Sequence, residues 1–230
     1  MKKLLYFLFI FPLFLNAQND CKDGHSESKP ADVSGKNVDG NSELIPISFK
    51  NNSIKGSPFA FKDWCKCEVV TLDNSVTNYD KVQFNLEKNQ VIVYNNGIST
   101  AIPTSQITSF KVTDGNSTRW FTSIDKSNFI DNTENKLYEV FSTGNYLIKE
   151  TTKNIQVSSD DSQKMYYKKR TSYYVLNKSG KYVKTKLNKK NIMKLLKDKE
   201  SDIKTYISKN KLSFNEKDIP RILEYYYTLS

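Results

Sequence analysis

The chain has 230 residues, with 35 Lys and Arg against 25 Asp and Glu, one His, and a formal charge of +10. The length suits one domain, or one domain with an appendage, and hydrophobic residues make up 37%, including 14 Tyr and 13 Phe, enough to build a core on large rings. Only Arg119, Arg170 and Arg221 are arginines. Nucleic-acid sites favour the bidentate arginine fork over lysine, so no nucleic-acid partner is expected.

Met1-Lys2-Lys3 is a short positive stretch, Leu4 to Leu15 is apolar, and Ala17 offers a small residue for cleavage. Twelve apolar residues fall short of the roughly 20 needed to span a bilayer. Residues 1–17 therefore read as a secretory signal peptide, with no transmembrane span left after its removal. The expected location is the periplasm, the outer-membrane periphery or the exterior. Residues 18–42 are rich in Asp, Asn, Ser, Gly and Lys and read as a flexible lead-in.

Residues 43–187 carry the pattern of short strands. Leu44–Ile47 opens it, with Pro46 marking an edge piece. Cys67–Leu72 follows. Lys81–Leu86 then alternates, with Val82, Phe84 and Leu86 on one face. Gln90–Tyr94 and Ile98–Ile102 flank Asn95-Asn96-Gly97, a strong hairpin signal. Further strands are predicted at Ile107–Val112, Thr118–Ile124, Leu137–Ser142 and Asn145–Lys149. Residues 155–164 read as a polar loop. Tyr173–Leu176 and Lys181–Leu187 flank a second hairpin turn, Asn177-Lys178-Ser179-Gly180.

Residues 188–230 change period and read as a helical cap packed on the β domain. Asn188 caps a helix bearing Ile192, Leu195 and Leu196. Ser201 or Asp202 begins one bearing Ile203, Tyr206 and Ile207. Asn215 or Ser213 caps a last helix with Glu216 and Asp218 in its first turn, followed by the stripe Ile219, Ile222, Leu223 and Tyr226. The predicted class is α+β: an antiparallel β meander, closing as a barrel, half-barrel or sandwich, followed by the cap.

Charge is uneven. Residues 18–149 hold 14 basic and 16 acidic side chains, a net of −2, whereas residues 150–230 hold 19 and 9, a net of +10. Lys189, Lys190, Lys194, Lys197 and Lys204 fall opposite the apolar stripes and form a candidate basic docking face.

Few residues suit catalysis. His25, the only histidine, lies in the lead-in, and there is no Gly-x-Ser-x-Gly elbow or Gly-rich phosphate loop. No catalytic residue, metal site or cofactor is assigned. Cys65-Lys66-Cys67, with Cys21, is the most specific feature. These thiols are candidates for a structural disulfide or inert burial, for redox or soft-metal chemistry, or for an intermolecular disulfide. Phe59, Phe61 and Trp64 are a candidate aromatic platform for carbohydrate or lipid.

The Asn16-Ala17-Gln18 end of the signal resembles those of Bacteroidetes-type Gram-negative bacteria. The body resembles a group of uncharacterised exported β-rich proteins of such cells. The segments that carry this likeness are Gly56-Ser57-Pro58-Phe59 with Phe61-Lys62-Asp63-Trp64, then Tyr173-Tyr174, and Ile222-Leu223-Glu224-Tyr225-Tyr226. The resemblance implies an address and a layout; no activity is established for the group.

Three functional expectations follow. The first is a non-enzymatic envelope or secreted protein docking on an acidic partner or membrane surface through its basic C-terminal segment. The second is a carrier holding a lipid or other apolar ligand in a half-barrel. The third is a hydrolase built on paired carboxylates.

Overall fold

The computed structural model describes residues 45–46, 54–95, 97–115, 117–130, 136–142, 144–161 and 164–229. The predicted signal peptide, the lead-in and Cys21 lie outside them. The strands are β1 (Ile45–Pro46), β2 (Ile54–Lys55), β3 (Cys65–Thr71), β4 (Val76–Asn85), β5 (Gln90–Asn95), β6 (Ile98–Pro103), β7 (Ile107–Asp114), β8 (Ser117–Ile124), β9 (Lys136–Val140), β10 (Leu147–Val157), β11 (Met165–Leu176) and β12 (Tyr182–Thr185). The helices are α1 (Lys189–Leu195), α2 (Glu200–Asn210) and α3 (Ile219–Thr228). The class is as predicted: a large, open, mostly antiparallel sheet followed by a helical region.

Among the described residues the strands form one sheet in the order β1-β6-β5-β4-β3-β7-β8-β9-β10-β11-β12, with β2 added parallel to β11. Apart from the two-residue strands β1 and β2, which join β6 and β11, sequential neighbours pair except where β7 returns to lie beside β3. Pro103 and Ile107 are joined only by the short 3-10 turn Thr104–Gln106. Four peptide steps reach at most roughly 14 Å. Three strands lie between β6 and β7, which in a flat sheet would set them roughly 19 Å apart. The sheet must therefore curl, and its inner face packs Ile102 of β6 with Ile107 and Phe110 of β7.

The curl is filled by rings. Phe110 stacks on Phe121 at 4.5 Å, and Phe84 meets both edge-on at 5.4 and 5.6 Å. Residues 54–60 staple its open side. Ala60 N–H donates to Phe84 O and Leu86 N–H to Pro58 O, while Lys153 N–H reaches Leu86 O at 3.3 Å.

β10 and β11 are longer than predicted. Eleven residue pairs run from Leu147↔Val175 to Val157↔Met165, carrying strand through part of the segment read as a polar loop. Their middle positions (Thr151 to Asn154, and Lys168 to Ser172) lack an apolar face, so pairing across the hairpin supplies an order that local alternation does not signal. The expected turn is retained at β11–β12. There Asn177 Oδ1 accepts from Ser179 and Lys181 N–H, and Gly180 takes a φ of 74°.

Alternation along β10 and β11 separates two further cores. Leu147 and Val175 face the helices, packing with Ile192, Leu196, Ile203, Ile219, Ile222, Leu223 and Tyr226. Ile148 and Tyr174 face the other way, with Phe129, Tyr138 and Tyr182. Asn188 caps α1 as expected, accepting from Asn191 N–H. α3 begins one turn later than predicted. Asn215 Oδ1 accepts from Lys217 and Asp218 N–H in a turn before the helix, which leaves Glu216 outside its first turn and aimed at the sheet.

Candidate functional site

The inward face of the sheet carries charge where it passes from the ring-filled curl to the helical core. On β8 and β9, Phe121 pairs with Glu139, and Leu137 shares the inward side with both. On β10, Lys149 lies opposite Glu139. Period-two alternation thus sets Arg119, Glu139 and Lys149 among apolar neighbours.

Arg119 grips Glu139 bidentately, Nε to Oε1 at 2.8 Å and the terminal nitrogen to Oε2 at 2.7 Å. Lys149 Nζ reaches the same carboxylate at 2.8 Å and Glu216 at 3.3 Å. Tyr173 Oη donates to Glu216, tying the turn before α3 to β11. The guanidinium also lies 5.2 Å from the Phe61 and Phe121 ring centres. Burial pushes the Glu139 carboxyl up, but Arg119 and then Lys149 outweigh it and hold it below its ordinary value. With cations at both oxygens, Glu139 is built as a counter-ion and not as a proton donor.

Beside this network lies a cleft of about 90 Å³, lined by the apolar Ala60, Phe84, Leu86, Phe121 and Leu137 and by the polar Arg119, Lys149, Thr151, Lys153 and Lys169. That is small against the roughly 300–1,000 Å³ of ordinary small-molecule pockets. A wider, open groove of about 300 Å³ is rimmed by the polar Ser123, Asp125, Asn128 and Asn145. Lys153 Nζ donates to Ser57 O at 2.8 Å and to Phe59 O at 2.5 Å. Lys169 is its direct cross-strand partner. Burial first, and then the Lys169 charge, lower the Lys153 pKa.

The residues singled out in the sequence are scattered. Cys65 and Cys67 both point into the core from one face of β3 and are not bonded to each other. Burial, with Cys65 and Glu68 adding to it, pushes the Cys67 thiol up to about 12, which is the environment of an inert thiol. Among the described residues no group of three His, Cys, Asp or Glu is placed to hold a metal ion. Phe59, Phe61 and Trp64 do not share one surface. Phe61 is buried, Phe59 bridges to Asn85, and Trp64 is exposed against Tyr94 at 5.9 Å. Lys189, Lys190, Lys194, Lys197 and Lys204 are all exposed.

No family model, curated protein or solved structure matches the chain. Its function must be read from its own residues.

Sequence reasoning missed the Arg119–Glu139–Lys149 network and the lysines of the cleft. A signal for the network was present: Leu137-x-Glu139-x-Phe141 and Leu147-x-Lys149 place charges on the apolar phase of alternating strands. Lys153 and Lys169 gave no such signal, because their strand assignment depended on a pairing that the local pattern does not show.

Proposed function

We propose that the protein is exported, does no chemistry, and docks on an anionic membrane surface of the cell envelope through its helical cap. The observation that carries this reading is the state of the cap lysines. Lys189, Lys190, Lys194 and Lys197 are exposed, and among the described residues none takes part in an ion pair. Lys204 pairs with Glu200 across one helical turn, an exposed contact of small net value. Lysine heads on flexible stems suit a diffuse anionic surface better than a single shaped acidic epitope, where the arginine fork is preferred. Each lysine near an anionic bilayer contributes about 1 kcal/mol. No described helix is long and apolar enough to cross a membrane, so this reading places the cap on the bilayer and not through it.

The test is co-sedimentation with neutral vesicles and with vesicles containing phosphatidylglycerol. Binding should require the anionic lipid and fall steeply with salt, as the screening length shrinks from about 10 Å at 0.1 M to about 3 Å at 1 M. Reversing Lys189, Lys190, Lys194 and Lys197 to Glu should abolish it. Salt-independent binding, or none, refutes the reading.

A further inference from the structure

We infer that the cleft between the curled sheet and the β10–β11 hairpin is a binding site for a single phosphate-type oxyanion. The site is separate from the cap and stands or falls independently of membrane docking.

Two lysines of the cleft are arranged in a way that is costly without a ligand. Lys153 and Lys169 lie directly opposite each other on an antiparallel pair. Like charges in that relation repel and destabilise the sheet. Among the described residues neither has a carboxylate in an ion pair. Both line the cleft with Lys149 and Arg119, so four cationic side chains meet there.

The carboxylates nearby do not cancel them. Glu139 is engaged by Arg119 and Lys149, and Glu216 by Lys149 and Tyr173. Glu87 accepts from Tyr167 on β11. Four cations less the three carboxylates leave an excess of one positive charge, which favours an oxyanion over a neutral ligand.

The site is also shaped for one. Lys149, Thr151 and Lys153 are alternate residues of β10 and present two ammonium groups and a hydroxyl from one side of a rigid strand. The carbonyls of Ser57 and Phe59 hold the Lys153 head in place, and burial beside Lys169 makes it a stronger donor. The rest of the lining is largely apolar: Phe84, Leu86, Phe121 and Leu137. Low-dielectric walls strengthen charge-assisted hydrogen bonds to a bound oxyanion. A cleft of about 90 Å³ takes the phosphoryl group itself, and any organic remainder must leave through the open side.

The experiment is calorimetric titration of the purified protein with inorganic phosphate and, separately, with glycerol 3-phosphate, in chloride buffer of matched ionic strength. Saturable binding is expected. Lys169→Gln should weaken it about tenfold or more, the scale of one hydrogen bond to a charged group. Lys169→Glu should abolish binding and raise the melting temperature in chloride, because it replaces a repulsion with an ion pair. Lys169 is exposed, so both variants should fold. Lys66→Gln, on the exposed side of β3, should bind like the parent. Binding of both ligands marks a phosphomonoester site, and binding of inorganic phosphate alone marks a free-ion site; either outcome supports the assignment. No saturable binding in the millimolar range, or binding that Lys169→Glu leaves intact, overturns it.

Discussion

Glu139→Gln removes one charge from the centre of the inward-facing network while keeping the side chain's shape. In the parent, the Glu139 side chain is 9% exposed and holds both Arg119 and Lys149. Removing one partner of a fully buried pair costs about 3–5 kcal/mol, because the remaining charges lose their compensation. The Arg119 side chain is 26% exposed and that of Lys149 13%, so water recovers part of the loss. The expected cost is therefore roughly 2–3 kcal/mol. At about 2–4 °C per kcal/mol for a domain of this size, melting should fall by roughly 5–10 °C. The pH dependence gives a sharper reading. The folded pKa of Glu139 lies below its ordinary 4.5, so the stability it contributes is fully present above that value. It is lost as pH falls through the depressed folded value. Urea unfolding of parent and variant between pH 7 and pH 3 should thus show a constant gap that closes in acid. A gap that stays the same at both ends, or that is absent at pH 7, would refute the account of Glu139 as a structural counter-ion.

Two further outcomes follow from the cores. With its thiol raised to about 12, Cys67 should react with iodoacetamide at pH 8 only as fast as the protein opens, and at once in denaturant; rapid alkylation of the native protein would contradict its burial. Ile222→Ala, at a position with 0% exposure in the helical core, should cost about 2–5 kcal/mol and lower a single cooperative transition. Two separate transitions would show that the cap and the sheet do not share the core built around Leu147 and Val175.

Parts of this fold were legible because local chemistry and tertiary structure agree. Asn95 and Gly97 flank the β5–β6 turn, Asn188 caps α1, and the 3.6-residue spacing of Ile219, Ile222, Leu223 and Tyr226 marks the buried face of α3. The first half of β4 and the middle of the β10–β11 hairpin were not legible. Val76–Asp80 is exposed or half-exposed throughout, and Thr151–Asn154 is polar on both faces, so each is strand only because a neighbour offers it hydrogen bonds. The return of β7 to β3 was equally hidden, since a three-residue link gives no local sign of which strand it will join. The cap lysines could be placed on exposed faces from helical periodicity alone. The cleft could not, because it depends on which residues of distant strands come opposite one another.

The staple formed by residues 54–60 also sets an order of events. Ser57 waits for Lys153, 96 positions later, and Ile54 waits for Met165. A chain made amino end first, at roughly 5–20 residues per second, leaves that segment without these partners for about 5–20 s. Over that interval Pro58, Phe59, Ala60 and Phe61 already have partners in or beside β4 and in β8, and only residues 54–57 stay unpaired. A nascent chain halted before the β10–β11 hairpin emerges should therefore be open to proteolysis at residues 54–57. Protection there should coincide with the appearance of residues near 165, well before the helices are complete.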